Sequence, residues 1–210
     1  MSAPQIIAVP TGVLSVNTYL VVHGNAAVVI DPGGDAPEII RQLGDAKMVA
    51  LLLTHSHYDH LGAVNEMSAA FPAADYYCHP RCAAHAASAA ANFSAEICGE
   101  KYAVAATAKP LNGGETLVLA GLKMQTFFVP GHTDDSLCFY FPDAAALFSG
   151  DTVFAGSVGR SDLPGGNGGQ LIREIKKMLA VLPTETAVYP GHGEPTTVAV
   201  ELQSNPFFQS

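Results

Sequence analysis

The chain has 210 residues, of which 49% are hydrophobic and 14% are charged, with a formal net charge of −9 at pH 7. This composition excludes a disordered chain and favours one large domain, residues 1–210, with a substantial core. Because proteins that bind the phosphate backbone usually carry a basic patch, the acidic charge also disfavours nucleic acid as a partner.

The ends of the chain and its cysteines indicate a compartment. Residues 1–5 lack the basic and apolar stretches of a secretory signal, and no apolar run reaches the length of a membrane span, so we expect no membrane partner. The cysteines match no strong zinc or redox motif and are expected to be mostly buried free thiols in a reduced cytoplasm: Cys78, Cys82, Cys98 and Cys138.

The first half of the chain alternates predicted strands with helices. Strands over residues 6–9, 18–22 and 26–30 are joined by short turns and therefore pair antiparallel. Asp35 is expected to cap a helix that has Pro37 in its first turn and ends near Leu43. A buried strand over 48–53, a helix starting at 61, a strand over 75–78 and an Ala-rich helix over 80–93 follow. We interpret His79 and His85, in or near that last helix, as surface or packing residues.

The second half repeats this order. Strands are predicted over 116–119, 123–129, 136–141 and 145–148, then a one-faced helix over 171–182 and a strand over 187–189. The tail is expected to pack on the body through Phe207 and Phe208. Several strands followed by helix, twice, predict an α/β fold of two sheets packed face to face with helices outside.

A dense group of metal-capable side chains follows the strand over 48–53. Within Thr54-His55-Ser56-His57-Tyr58-Asp59-His60, three imidazoles and one carboxylate lie on a strand-to-helix loop, where open α/β sheets usually place ligands. Imidazole and carboxylate without thiolate suit a catalytic zinc-like or iron-like ion.

Three further candidates each end a strand-like run after a small residue: His132, Asp151 and His192. The seven candidates exceed what one catalytic zinc needs, so we predict two divalent ions, most simply zinc, with iron or manganese as alternatives. His55, His57 and His132 would hold one ion and Asp59, His60 and His192 the other. Asp151 would bridge them, and the pair would share a hydroxide.

The motifs T-H-S-H-Y-D-H, P-G-H-T, S-G-D-T and P-G-H-G, in this order, resemble those of the metallo-β-lactamase superfamily. The resemblance covers nearly the whole chain and implies an αββα sandwich and the ligand division given above. It also matches Asp31, in Asp31-Pro32-Gly33, to a motif whose carboxylate supports the metal loops from behind the ligands. A turn aspartate leading into the helix is the alternative role.

Within that superfamily the chain is similar to the glyoxalase II-like hydrolases, through Gly159-Arg160-Ser161-Asp162 and Asn205-Pro206-Phe207-Phe208. Glyoxalase II carries an added helical C-terminal domain that helps to hold glutathione, and only a brief tail follows His192 here. A second departure is Thr133-Asp134-Asp135-Ser136, where relatives often have Pro-Gly. We expect these two carboxylates to cap a turn.

The resulting prediction is hydrolysis of a small-molecule thioester, such as an S-acylglutathione, by the metal-bridging hydroxide. A thiol with a pKa near 8.5 leaves without a dedicated acid. Asp59 and Asp151 are the predicted catalytic residues. Arg160 is a candidate for binding a substrate carboxylate or for a salt bridge with Asp162. Tyr189 and Phe154 flank the ligand motifs and line the pocket or pack in the core.

Other functions use the same residues. A persulfide dioxygenase would hold one iron through His55, His132 and Asp151. A phosphodiesterase or nuclease is disfavoured by the acidic charge, and redox diiron centres usually have Glu where His57 stands. A non-catalytic metal-binding protein is the remaining alternative. The sequence leaves open the metal, both halves of the substrate and the oligomeric state.

Overall fold

A computed structural model describes residues 3–209 of the chain. Its first sheet has six strands whose spatial order follows the chain. The first three strands pair antiparallel and the next three join in parallel. These strands are β1 (Gln5–Thr11), β2 (Val16–His23), β3 (Ala26–Ile30), β4 (Lys47–Leu52), β5 (Asp75–Cys78) and β6 (Lys109–Pro110).

The second sheet also has six strands, in the order β14-β13-β10-β9-β8-β7. All its pairs are antiparallel except β10 with β13, which are parallel and are connected through a helix. Its strands are β7 (Thr116–Leu119), β8 (Leu122–Phe128), β9 (Leu137–Phe141), β10 (Ala146–Gly150), β13 (Ala187–Pro190) and β14 (Thr196–Thr197). A small separate hairpin consists of β11 (Val153–Phe154) and β12 (Ser157–Val158).

Helices cover the outer face of each sheet. On the first sheet lie α1 (Ala36–Leu43), α2 (Tyr58–Leu61), α3 (Val64–Ala70) and α4 (Pro80–Ala86), followed by the short α5 (Ser94–Cys98). On the second lie α6 (Gly168–Leu179) and α7 (Val198–Ser204). Among residues 3–209, the helices are too short or too polar to cross a bilayer.

The core follows from the two-residue period of the strands. Val28 and Ile30 of β3 point to the space between the sheets, whereas Val29 points to the helices of the first sheet. In β10, Phe148 faces the first sheet and Leu147 faces α6 and α7. Because successive side chains of a strand point to opposite faces, each sheet buries both faces. The predicted αββα sandwich is thereby confirmed.

Two local predictions were wrong. The Ala-rich stretch leaves the helix at Ala86 instead of continuing to Phe93, because buried Asn92 binds main-chain groups that a helix could not bring to it. Asp35 precedes α1 as expected, but its carboxylate does not cap the helix. It accepts a hydrogen bond from Gly12 N at 2.9 Å instead.

The tail forms α7 and a 3₁₀ turn, Pro206–Phe208. Phe208 packs on the core beneath α6 as predicted, but Phe207 is 41% exposed. The tail is joined to the body by the buried carboxylate of Glu201, which accepts hydrogen bonds from Gly156 N, Thr196 Oγ1 and Asn205 Nδ2.

Candidate metal centre

The predicted ligands converge at one end of the sandwich. They come from the loops that follow β4, β8, β10 and β13. Main-chain hydrogen bonds of 2.7 Å tie two of these loops to strands of the opposite sheet: Leu137 N on β9 donates to Thr54 O, and Asn17 N on β2 donates to Gly191 O. The structure brings the whole predicted set together: His55, His57, Asp59, His60, His132, Asp151 and His192.

The first group consists of three imidazoles. His57 Nδ1 lies 3.1 Å from His55 Nε2 and 3.0 Å from His132 Nε2, and all three residues are buried. Burial, followed by the nearby His132, lowers the pKa of His57 to about 4. Burial and the surrounding imidazoles also hold the pKa of His55 well below its usual value. His55 and His57 are therefore held neutral, which is the form in which imidazole binds a metal.

Hydrogen bonds behind the rings determine which nitrogens face the site. His132 Nδ1 lies 2.8 Å from the carbonyl oxygen of Arg160, and His60 Nδ1 lies 2.9 Å from Asp31 Oδ2. Carbonyl and carboxylate oxygens only accept, so both Nδ1 atoms carry the proton and both Nε2 atoms present lone pairs inward. Thr54 Oγ1 donates its proton to Asp31 Oδ2 at 2.6 Å and therefore accepts from His55 Nδ1 at 3.0 Å. His55 thus also has its proton on Nδ1.

The second group contains two imidazoles and one carboxylate. Asp59 Oδ2 lies 3.1 Å from His192 Nε2 and 3.6 Å from His60 Nε2. Burial alone would lower the pKa of His60, but the carboxylates of Asp151, Asp59 and Asp31 outweigh it and raise that pKa well above its ordinary value. The three carboxylates therefore favour a positive charge at His60 Nε2, which a bound cation would supply in place of the second ring proton.

Asp151 lies between the two groups. Its Oδ1 is 3.4 Å from His60 Nε2, and its Oδ2 is 3.8 Å from both His132 Nε2 and His192 Nε2. Burial would raise the pKa of Asp151, but the neighbouring histidines, above all His60, lower it. The carboxylate is thus ionised and within reach of both groups, as a bridging ligand must be.

The residues fit a pair of divalent ions. His60 Nε2 and Asp151 Oδ1 are buried and lack a hydrogen-bond partner among residues 3–209. Because Asp31 holds the other ring proton of His60 on Nδ1, a cation that displaced the proton of Nε2 would find two lone pairs directed at it. An unsatisfied buried polar atom costs about 1–3 kcal/mol, which a bound cation would offset. The clusters of His and Asp thus suit a dinuclear metal site, in which three carboxylates offset part of the cationic charge: Asp31, Asp59 and Asp151.

Two glycines allow the loops to approach closely. A Cβ atom on Gly191 would overlap Asp151 Oδ1 and lie 2.5 Å from His60 Cε1. A Cβ atom on Gly159 would overlap the carbonyl oxygen of Asp151 and lie 3.2 Å from His132 Nδ1. Only glycine leaves room for the ligands at these two positions.

A cavity of about 430 Å³ opens onto the site. Asp59, Asp151 and three of the histidines form its floor, and an exposed carboxylate and an arginine stand in its wall. The remaining wall is apolar. The lining residues outside the ligand set are Leu14, Phe93, Glu96, Ile97, Arg160 and Leu163. A group attached to the reacting centre would therefore meet mainly apolar side chains.

The three predicted substrate residues lie in different places. Arg160 lines the cavity, and its guanidinium forms the predicted salt bridge with Asp162, at 2.8 and 2.9 Å. Its contact with a substrate carboxylate stays a prediction. Tyr189 packs between the sheets, stacked on Phe148 at 5.3 Å. Phe154 lies half-buried on β11, outside the lining of the cavity.

The carboxylates after His132 do more than cap a turn. Asp135 is fully buried and binds Thr133 Oγ1 at 2.6 Å within the turn, and it also binds His85 Nδ1 at 3.1 Å on α4. His85 is a half-buried partner of that turn, in line with a packing role. His79 is buried and stacks on Phe128 at 4.8 Å.

The sequence interpretation missed Phe93. The sequence pattern predicts Phe93 as the last residue of the helix over 80–93. In the structure Phe93 has a left-handed backbone, with φ 60°, and its ring contacts His57. A left-handed phenylalanine has no signature in residue type, because this conformation is ordinarily taken by Gly, Asn or Asp.

The fold and the ligand set define a metallohydrolase of the αββα type. The model of the "Metallo-beta-lactamase superfamily" matches residues 11–192. The chain belongs to that superfamily and is a metal-dependent hydrolase.

Two relatives match nearly their whole length. The chain is 34% identical over 204 residues to "Probable metallo-hydrolase YqgX" of Bacillus subtilis, covering 94% of each protein. It is 31% identical over 208 residues to "Hydroxyacylglutathione hydrolase GloC" of Haemophilus influenzae, covering 88% of each.

Solved structures show the same fold. BLEG-1 B3 metallo-beta-lactamase superposes with a TM-score of 0.92 at 35% identity, covering 98% of this chain and all of the other. TTHA1623 in a di-iron-bound form superposes with a TM-score of 0.83 at 37% identity, covering 96% and 99%. ETHE1 from Myxococcus xanthus follows with a TM-score of 0.76 at 26% identity, covering 96% and 83%.

Proposed function

We propose that this protein hydrolyses thioesters. One observation carries the proposal: among the residues that line the cavity, none outside the ligand set is placed to protonate a leaving group. Arg160 stays protonated at all working pH values, and Glu96 lies on the exposed side of the short helix α5. A thiolate leaves without such an acid because its conjugate thiol has a pKa near 8.5, whereas an amine or alkoxide leaving group needs one.

The chain's own groups serve this reaction in three ways. Divalent ions, when bound, lower the pKa of water and polarise an acyl oxygen. Asp59 lines the cavity, with its Oδ2 3.1 Å from His192 Nε2, and would accept a hydrogen bond from the attacking water and orient it. The hydrogen bonds to Asp31, Thr54 and the Arg160 carbonyl keep the imidazole lone pairs inward. The oxygen of water joins the acyl carbon, the carbon–sulfur bond breaks, and a carboxylate, a thiol and one proton are released.

The similarity to a protein named hydroxyacylglutathione hydrolase supports an acylglutathione as one member of the substrate class. We also propose zinc as the natural metal, since histidine and carboxylate ligands with open positions are typical of catalytic zinc. Iron is the alternative metal, because the similar protein TTHA1623 has a structure in a di-iron-bound form. Free thiols at Cys78, Cys82 and Cys138, all buried, fit the proposed location in a reducing cytoplasm.

A second candidate is a persulfide dioxygenase, favoured by the similarity to ETHE1. It would bind one iron through His55, His132 and Asp151. A second group of three ligands, Asp59, His60 and His192, weighs against this candidate, because a single ion needs only the first group.

Metal analysis beside a substrate panel tests the proposal. Protein purified without added metal should contain two ions per chain and should release thiol from acyl thioesters. The same preparation should consume no oxygen with a persulfide and should turn over a β-lactam far more slowly than a thioester. Oxygen consumption with a persulfide, one iron per chain and no thiol release would overturn the proposal in favour of the second candidate.

A further inference from the structure

The cavity over the metal centre is one of two that meet at the same residues. A second cavity of about 270 Å³ shares His57 and Phe93 with the larger one. Residues 90–97 form one side of both cavities, and residues 160–165 form the other. The two cavities therefore adjoin as two parts of a groove, with His57 and Phe93 between them.

Phe93 is held in position by its backbone. Its φ of 60° and ψ of 24° are left-handed, and its ring meets the ring of His57 edge-on with centroids 5.4 Å apart. A bulky residue in this conformation stores of order 1–3 kcal/mol of strain and persists only where its surroundings determine it.

The neighbouring Asn92 supplies that restraint. Its side chain is fully buried, and its Nδ2 donates to the carbonyl oxygens of Ala86 at 3.1 Å and Tyr102 at 2.9 Å. Its main-chain oxygen accepts from Tyr58 N at 2.8 Å, directly beside His57. The segment that carries Phe93 is thus bonded to the loop that carries the metal ligands, and the ring is fixed relative to them.

The two parts of the groove differ in chemistry. Beside Phe93, the larger cavity has Ile97 and Leu163 in its wall, whereas the smaller one has His85 and Asp134. An apolar group attached to the reacting carbon would be buried favourably in the first part. A longer group would have to displace the ring of Phe93 to reach the second.

We propose that Phe93 sets the length of the apolar group that the site accepts. The preferred substrates are thioesters whose acyl chain ends against Phe93, Ile97 and Leu163, and longer chains are excluded by the aromatic ring. This inference rests on the proposed thioester hydrolysis and adds to it the class of acyl group and the residue that limits it.

Phe93→Gly is the sharpest test, because glycine adopts a φ of 60° without strain and removes the ring. The substrates are thioesters of one neutral thiol, N-acetylcysteamine, with acyl chains from acetyl to dodecanoyl. In the native protein, kcat/KM should rise with chain length and then fall. In the variant, the ratio of kcat/KM for the longest chain to that for the optimal native chain should increase by at least about tenfold.

Phe71→Ala is the matched control, since it removes a half-buried phenylalanine at the end of α3, outside the lining of both cavities, and should leave the ratio unchanged. Phe93→Asn, which also tolerates the left-handed backbone, replaces the glycine variant if that protein does not retain its metal. An unchanged chain-length profile in a fully metallated Phe93 variant overturns the inference while thioester hydrolysis stands. Cleavage of no thioester by the native protein overturns the proposed function and this inference with it.

Discussion

The carboxylate of Asp31 and the imidazole of His60 form a buried hydrogen bond, with Oδ2 2.9 Å from Nδ1. The same carboxylate accepts from Thr54 N at 2.8 Å and from Thr54 Oγ1 at 2.6 Å. Asp31 thereby determines the tautomer of His60 and, through the threonine hydroxyl, that of His55. The inward lone pairs of His60 and His55, one in each ligand group, therefore depend on a single carboxylate that lies behind the ligands.

Asp31→Asn should weaken metal binding about 10–100-fold. The amide NH2 would face the N–H of His60 Nδ1, so two donors would meet. His60 could keep this hydrogen bond only by moving its proton to Nε2, which would then lose the lone pair that faces the metal. Competition with a chelator measures the affinity. Asp35→Asn is a matched control, because both aspartates have a left-handed φ, 52° and 53°, and the carboxylate of Asp35 accepts from Gly12 N at the surface. Equal affinities in the two variants would contradict the role assigned to Asp31.

Asp151→Ala should lose metal and activity together, since Asp151 reaches both ligand groups. The loss of turnover should exceed the roughly 10–100-fold that follows removal of a supporting residue. Elemental analysis and thioester turnover measure the two effects, with Asp143→Ala on the surface as the control. Retention of two ions per chain in the Asp151 variant would refute the bridging assignment.

Arg160→Ala should raise KM for a thioester with a carboxylate on its distal part by roughly fivefold, which is the scale of an exposed ion pair. The metal content should be unchanged, because His132 binds the main-chain oxygen of Arg160, which every side chain retains. Asp162→Asn should lower the same KM, since it releases the guanidinium from its bidentate pair. An unchanged KM in both variants would assign Arg160 to its loop alone.

Glu201→Ala should reduce the free energy of unfolding by about 3 kcal/mol. The substitution leaves the donors of Gly156, Thr196 and Asn205 without their buried carboxylate. Urea denaturation at constant m-value measures the change. Glu185→Ala, at an exposed position, should shift the midpoint little, and equal midpoints for the two variants would contradict the structural role of Glu201.

His85→Gln should destabilise the protein more at pH 5.5 than at pH 9. The hydrogen bond to Asp135 raises the pKa of His85 against the opposing effect of burial. Because the pKa of His85 is higher in the folded protein than in the unfolded chain, protonation of His85 stabilises the fold. This stabilisation is complete at pH values below the unfolded pKa, near 6.5, and is lost as the pH rises through the folded pKa. Because the His85 side chain is 37% exposed, solvent screening limits the difference to about 0.5–1 kcal/mol. Chemical denaturation at both pH values measures it, and an equal loss at both would contradict the pairing.

The strand pattern was predictable because each strand carries its own signal. Strands over 26–30, 75–78 and 116–119 were predicted with the bounds that the structure has. The strand over 26–30 is buried on both faces, whereas the strands over 75–78 and 116–119 alternate between more and less buried positions. The local sequence records both patterns directly. The segment over 87–93 was not predictable in this way. Its alanines favour a helix, and buried hydrogen bonds from Asn92 to distant residues override that preference.

The sequence alone determined the chemistry of the site, because imidazole and carboxylate ligands keep their donor properties wherever the chain carries them. It also determined the family, since short motifs separated by strands fix which loops meet. Only the tertiary structure decided the tautomers of His55, His60 and His132, the place of Tyr189 in the core and the position of Phe93. These features depend on distances between residues far apart in the chain, which packing of the two sheets sets and which no local pattern of residues encodes.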